Sequence, residues 1–196
     1  VARYVRYSWL LAGLVVVGAA AFLLGSYLSP RRALAGTELK TPVQVTGLDL
    51  VDTAGDPVDL AGDLAGSVAL VFFGYTRCPD VCPLTMARLA RAYELAGQPG
   101  DLDVVMVTVD PGFDTPEVLR EYLGRFHPAF LGLTGTNSQV AAAAKAFFVG
   151  FVEGGGSVAH TDVVGVVDRR GYLRYIYGQD AVPRLGDDIP ELLRRL

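Results

Sequence analysis

The residues VALVFFGYTRCPDVCP, numbered 68–83, decide the fold. The apolar run over 68–74 is typical of a strand buried in the centre of a sheet. Pro83 suits the first position of a helix, and it disfavours the helical conformation at the preceding residue, Cys82. The stretch therefore predicts a buried strand, a turn and then a helix, and such turns are where α/β folds place their chemistry.

The chain has only two cysteines, Cys78 and Cys82, and both lie in this turn. The positive end of the following helix favours thiolate over thiol, with Arg77 helping and Asp80 opposing. The pair is therefore a candidate for soft-metal binding and for thiol chemistry. The alternative is a structural role, either as a disulfide or as two buried thiols.

Length and charge limit the class of protein. The 196 residues, of which 51% are hydrophobic, suffice for one domain with a full core and a small appendage. The net charge is −4, and no cluster of basic residues is present. Because binding to phosphates needs such a cluster, nucleic acid is excluded as a partner.

The N-terminus carries a long apolar segment, with no charged residue from Tyr7 to Pro30. At about 1.5 Å per residue this segment is long enough to cross a hydrocarbon core of roughly 30 Å. It predicts one N-terminal transmembrane helix, inside a membrane anchor at residues 1–35. We expect residues 36–196 to form the folded domain, beginning with a polar linker that ends at Pro42.

A cleaved signal peptide is the competing interpretation, because residues 33–35 have the small-x-small form of a processing site. Signal-peptide cores are shorter than this run, and Arg31 and Arg32 follow it directly, which favours an uncleaved anchor. Both interpretations place the domain on the extracytoplasmic face, periplasmic or outer.

The rest of the sequence predicts alternating strands and helices. We expect an N-terminal hairpin with arms at 43–50 and 58–60, strands at 102–109, 130–133 and 158–167, a hairpin arm at 172–177, and helices at 84–96, 116–126, 137–146 and 186–196. Thr115 and either Thr136 or Asn137 are the expected caps of the two middle helices. This order predicts an α/β fold, a thioredoxin-like mixed sheet flanked by helices.

A soft-metal site beside the cysteines needs another ligand, and the chain has two histidines. His127 precedes Pro128 at a helix end, where a structural role is usual. His160 follows the glycines at 154–156 near the start of a predicted strand, so we expect its ring at the sheet edge beside the cysteine turn. Asp162 would share that face, either accepting a hydrogen bond from the imidazole or facing solvent.

Residues 72–83 resemble the signature of the Sco copper proteins, also called SenC. Residues 109–116 are similar to the family's Asp-Pro-x-x-Asp-Thr-Pro segment, and the resemblance continues through 130–135 to His160. It implies a thioredoxin-like fold and copper, as Cu(I) or Cu(II), held by Cys78, Cys82 and His160. It also implies a role in assembling the dinuclear copper centre of cytochrome c oxidase. The implied partner is the copper-bearing subunit of that oxidase or another copper chaperone.

Two functions stay open. The first is a metallochaperone, since two thiolates and an imidazole select Cu(I), whereas structural zinc usually takes four ligands. The second is a thiol-disulfide oxidoreductase that reduces the cysteines of the oxidase copper site, with Cys78 and Cys82 as a redox-active disulfide pair. Three residues between the cysteines, and no proline after His160, disfavour general dithiol catalysis. Peroxide reduction or redox sensing rests on the fold alone.

Overall fold

The computed structural model describes residues 13–20, 32–45, 48–60, 62–154, 157–160 and 162–196, and of residues 151–160 only the backbone. The chain divides into two compact units, Val1–Ala33 and Leu34–Leu196.

In the first unit, residues 13–20 are helical and form α1. The predicted transmembrane helix falls largely on residues 1–12 and 21–31, which lie outside the described residues. Within the described part of the chain, no helix reaches the length and hydropathy needed to cross a bilayer. The transmembrane helix therefore stays a prediction.

The described residues of the second unit form ten strands. They are β1 (Thr37–Gln44), β2 (Asp49–Asp52), β3 (Pro57–Asp59), β4 (Val68–Gly74), β5 (Leu102–Thr108), β6 (Leu131–Thr134), β7 (Phe151–Gly154), β8 (Ser157–His160), β9 (Val163–Val167) and β10 (Tyr172–Gly178). Eight of them form one sheet in the order β1-β10-β9-β4-β5-β6-β2-β3, while β7 and β8 pair in a separate hairpin.

Strand β4 lies near the centre of the large sheet, as its apolar run predicts. All seven of its residues are buried. It pairs in parallel with β5, from Val68 opposite Leu102 to Gly74 opposite Thr108, and antiparallel with β9. The carboxyl ends of β4 and β5 therefore meet at one edge of the sheet, where the cysteine turn begins.

The helices of this unit are α2 (Val81–Leu95), α3 (Pro116–Gly124), α4 (Asn137–Ala146) and α5 (Leu185–Arg195). The expected caps are present: Thr115 accepts a hydrogen bond from the N–H of Val118, and Thr136 with Gln139 forms a capping box. Helix α2 packs against α5, and α3 packs against β6. The mixed α/β prediction is confirmed, although α2 begins three residues earlier than the sequence predicts.

Three predicted elements are wrong. Residues 37–42 are part of edge strand β1, which pairs with β10, and are not a linker. The first arm of the N-terminal hairpin is correspondingly shorter, since β2 begins only at Asp49 and pairs with β3. The single strand expected at 158–167 is divided into β8 and β9, which belong to different sheets.

Candidate metal centre

The cysteine turn runs from the end of β4 to the first turn of α2. Cys78 lies in the turn, where its N–H donates to the carbonyl oxygen of Tyr75 at 3.3 Å. Cys82 is the second residue of α2 and Pro83 the third, so the expectation that Cys82 lies in the turn before the helix is wrong. The two cysteines therefore do not share one helix, in agreement with the prediction, and no disulfide joins them.

The sulfur of Cys78 caps helix α2. The N–H of Cys82 donates to Sγ of Cys78 at 3.4 Å, and the N-cap residue, Asp80, makes no side-chain cap. Burial raises the pKa of Cys78, but hydrogen bonds from the backbone N–H groups of Cys82 and Asp80 more than offset it, so this pKa lies below the ordinary thiol value. The helix start thus favours a thiolate at the half-buried Cys78.

Cys82 has the opposite environment, since its side chain is completely buried. Burial is the main reason that its pKa lies well above the ordinary thiol value, and the negative charges of Cys78 and Asp162 add to the shift. A methyl group at Gly74 would lie 3.2 Å from Sγ of Cys82, so this sulfur sits directly over the end of β4. Cys78 is therefore accessible and ionises more easily than an ordinary thiol, whereas Cys82 is enclosed and ionises less easily.

A buried carboxylate holds the start of the cysteine turn. Asp114 is fully buried, and it accepts hydrogen bonds from the N–H of Thr76 at 3.0 Å and from the Thr76 hydroxyl at 2.5 Å. It also accepts one from the hydroxyl of Thr108, the last residue of β5, at 2.6 Å. The loop after β5 is thus joined to the loop after β4, which gives a structural reason for the Asp-x-x-x-Asp spacing of residues 110–114.

Arg77 pairs with this same loop. Its Nη2 lies 2.5 Å from Oδ2 of Asp110, and its guanidinium carbon lies 4.2 Å from the centre of the Phe113 ring. We expected Arg77 to favour a cysteine thiolate. The structure instead pairs its charge with a carboxylate, and the backbone N–H groups stabilise the Cys78 thiolate.

The structure places the two histidines differently. His160 is the last residue of β8, opposite Phe151, and does not open a long strand as the sequence predicted. Its side chain is outside the described atoms, so its role as a ligand stays a prediction. Nδ1 of His127 accepts a hydrogen bond from the N–H of Ala129, and its ring packs 5.0 Å from that of Tyr93, consistent with a structural role.

Among the side chains that the structure describes, which exclude that of His160, no three cysteine, histidine or acidic groups converge on a common point suited to a metal. Asp162 lies between β8 and β9. It is half-buried and accepts a hydrogen bond from the side-chain amide of Gln179, so it does not simply face solvent. Whether it also accepts one from His160 stays a prediction.

Tyr122, which lies on α3, was not identified from the sequence. Its hydroxyl is buried and has no hydrogen-bond partner among the described residues. Burial raises its pKa, and ionised thiols at Cys82 and Cys78 would raise it further. No local pattern marks this residue, because an aromatic residue on the buried face of a helix is ordinary core.

A family model described as SCO1/SenC matches residues 39–193. The chain belongs to the SCO1/SenC family. A SCO2-like protein of Rickettsia felis is 33% identical over 193 residues, which cover 92% of this chain and 91% of that protein.

Solved structures that are similar to this SCO1/SenC chain include three Sco proteins. Apo Sco1 of Thermus thermophilus is 37% identical, with a TM-score of 0.71 over 84% of this chain and 98% of that one. ScoI of Arabidopsis thaliana, solved with copper bound, is 28% identical, with a TM-score of 0.71 over 80% and 98%. BsSco, a Sco family member described as a cytochrome c oxidase assembly protein with a disulfide switch, is 25% identical, with a TM-score of 0.65 over 80% and 95%.

Proposed function

We propose that this SCO1/SenC protein is a copper chaperone that binds copper through Cys78, Cys82 and His160 and assists assembly of the dinuclear copper centre of cytochrome c oxidase. The observation that carries the proposal is the placement of Sγ of Cys78 against the N–H of Cys82 at the start of α2, 3.4 Å away. Copper in the similar Arabidopsis structure supports the choice of metal.

The chemistry of the thiols suits copper as a cargo. Thiolates and imidazole are ligands that select Cu(I), and the lowered pKa of Cys78 makes its thiolate easier to form than that of an ordinary thiol. Because Cys78 is only half-buried, it is the sulfur that an incoming copper complex meets first. Cys82 then has to lose its proton to become a second ligand, so metal binding at this pair releases protons.

We further propose that residues 1–35 anchor the protein in a membrane and that residues 36–196 form the copper-binding domain on the extracytoplasmic face. The exposed apolar side chains of α1 support an anchor, since Leu14 is 75% and Val16 is 67% exposed. The acceptor is then the copper-bearing subunit of the oxidase or another copper chaperone.

The second candidate function is reduction of the disulfide in the oxidase copper site before metal arrives. It is favoured by the contrast between an accessible cysteine of lowered pKa, Cys78, and an enclosed one of raised pKa, Cys82. Such a contrast suits an attacking and a resolving thiol. In this reaction the two thiols would be oxidised to a disulfide as the target disulfide takes up two electrons and two protons.

The experiment that tests the chaperone is anaerobic titration of the reduced full chain, in detergent micelles, with Cu(I) in competition with a chromophoric chelator. We expect one tight equivalent of copper. Cys78→Ser and His160→Ala should each weaken binding by at least about tenfold. His127→Gln, which changes the other histidine, is the matched control and should bind as the parent does.

An affinity unchanged by Cys78→Ser or His160→Ala contradicts the assigned ligand set. If the chain binds Cu(I) no more tightly than a simple dithiol does, the reductase is favoured instead. That function is then measured by mixing the reduced chain with an oxidised peptide that carries the two cysteines of the oxidase copper site. The thiols gained by the peptide should equal those lost by the chain.

A further inference from the structure

The side-chain amide of Gln179, the residue after β10, makes hydrogen bonds to two other parts of the chain. Its Nε2 donates to the hydroxyl of Thr85 at 2.8 Å and also to Oδ2 of Asp162. Its Oε1 accepts from Nη1 of Arg88 at 2.9 Å. Thr85 and Arg88 belong to α2, whereas Asp162 lies just after β8, so one amide joins two elements that are distant in sequence.

The chemistry of its partners fixes the orientation of this amide. A carboxylate can only accept hydrogen bonds, and a guanidinium can only donate them. The amide nitrogen of Gln179 must therefore face Asp162, and its oxygen must face Arg88. Thr85 is fully buried, so its hydroxyl offers a rigid attachment point on the helix.

These contacts keep the chain after β8 close to α2. Asp162 is two residues beyond His160, and two extended residues span at most about 7 Å. Thr85 is three residues beyond Cys82, which is about 4.5 Å along a helix.

The position of the hairpin of β7 and β8 bears directly on that of His160, which ends β8. Its two strands pair with each other in a sheet of their own, apart from the eight-stranded sheet. The backbone ladder of the large sheet therefore does not fix the position of His160 at the end of β8. The segment that leads from β8 to β9 connects His160 to the large sheet, and the contact of Asp162 with Gln179 holds that segment.

We propose that Gln179 is a positioning residue for His160, holding the segment that follows it against α2 so that the imidazole can reach the two cysteine sulfurs. The inference rests on the proposed function, because it concerns how the third copper ligand is held. Gln179 itself is not a ligand.

The first test compares Gln179→Ala with the full-length parent chain, using the Cu(I) competition titration. Loss of a group that orients a metal ligand typically costs 10- to 100-fold in affinity, and we expect at least about a tenfold loss here. Gln44→Ala makes the same change at an exposed position on β1 and should leave the affinity within about twofold.

A pair of substitutions at Thr85 makes the test independent of whether Gln179→Ala folds. Thr85→Val removes the hydroxyl that receives the Gln179 amide but keeps the buried volume, so it should weaken Cu(I) binding as well. Thr85→Ser keeps the hydroxyl and should restore most of the affinity. Equal affinities for the valine and serine variants would overturn the proposal.

A double substitution decides whether Gln179 acts through the histidine. In the His160→Ala background, Gln179→Ala should have less than about a twofold further effect, because the ligand it positions is already gone. The same tenfold loss in both backgrounds would mean a general structural role and would overturn the proposal. If His160→Ala alone binds Cu(I) like the parent, the proposed ligand set fails and this inference fails with it.

Hydrogen exchange of the copper-free protein gives a readout without metal. Gln179→Ala and Thr85→Val should each speed the exchange of backbone amides at 157–160 and at Val163, while the amides of β4 keep the parent rate. If Gln179→Ala changes neither the exchange at 157–163 nor the Cu(I) affinity, Gln179 does not position His160 and the proposal is wrong. That outcome would not contradict the assignment of His160 as a ligand.

Discussion

Replacing Asp114 tests whether this buried carboxylate holds the cysteine turn in place. Asp114→Ala removes the acceptor of three hydrogen bonds at 2.5 to 3.0 Å, two of them from Thr76 and one from Thr108. Thr76 is half-buried, and its backbone N–H cannot turn to another partner. Leaving a donor unpaired away from water costs about 1–3 kcal/mol. The two hydroxyls can rotate, so each lost bond costs about 0.5–1.5 kcal/mol.

We therefore expect Asp114→Ala to lower the free energy of unfolding by about 4 kcal/mol. Asp114→Asn should cost only about 1–2 kcal/mol, because an amide oxygen at the Oδ2 position still accepts from Thr76 N–H and Thr108, with neutral instead of charge-assisted bonds. The exposed Asp56, changed to alanine, is the control and should shift stability by less than about 0.5 kcal/mol.

The assay is urea unfolding of the full chain followed by far-ultraviolet circular dichroism, with the slope against urea compared between variants. Asp114→Ala and Asp114→Asn with equal costs, or an alanine variant that loses less than about 1 kcal/mol, would refute the reasoning from hydrogen bonds. The same two variants should rank in the same order for Cu(I) affinity, since Thr76 is two residues before Cys78.

Two further predictions concern the thiols. Cu(I) affinity should rise with pH by at least about tenfold per unit, because Cys82, whose pKa is raised, gives up its proton on binding. The slope should steepen toward about a hundredfold per unit below the pKa of Cys78, which is lowered from its ordinary value. Chelator competition from pH 6 to 9 measures this profile, and a flat one would contradict the prediction. Gly74→Ala should cost about 1–3 kcal/mol in urea unfolding and weaken Cu(I) binding, since the new methyl would lie 2.6 Å from the Phe72 ring and 3.2 Å from Sγ of Cys82. Gly100→Ala, where nothing lies within 4 Å, is its control.

The sequence predicted best the features that neighbouring residues determine. The run over 68–74 has no polar residue, so it suits only a strand covered on both faces, and β4 is such a strand. Thr115 and Pro116 form a local start signal, and α3 begins where they indicate. The cysteine turn could be predicted for the same reason, because its residues are contiguous.

Features that depend on distant residues were predicted poorly. Strand β1 is polar and contains Pro42, so by itself it resembles a linker, and only its pairing with β10 makes it a strand. The hydrogen bonds of Gln179 join residues 85, 88 and 162, which no spacing in the sequence relates. The break between β8 and β9 likewise follows from their membership of two sheets, which local propensity does not encode.

The contrast between the two thiols bears on how copper could be both held and released. In the metal-free protein Cys82 keeps its proton, because burial and the negative charges of Cys78 and Asp162 all oppose a second thiolate there. A cuprous ion at the pair would add positive charge and offset that repulsion, so metal binding and loss of the Cys82 proton would be coupled. An acceptor that takes copper from the accessible Cys78 would in turn let Cys82 recover its proton. Under the proposed function, the return of a proton to Cys82 favours the release of copper. This coupling requires only that the sulfur of Cys78 be exposed and that of Cys82 be enclosed.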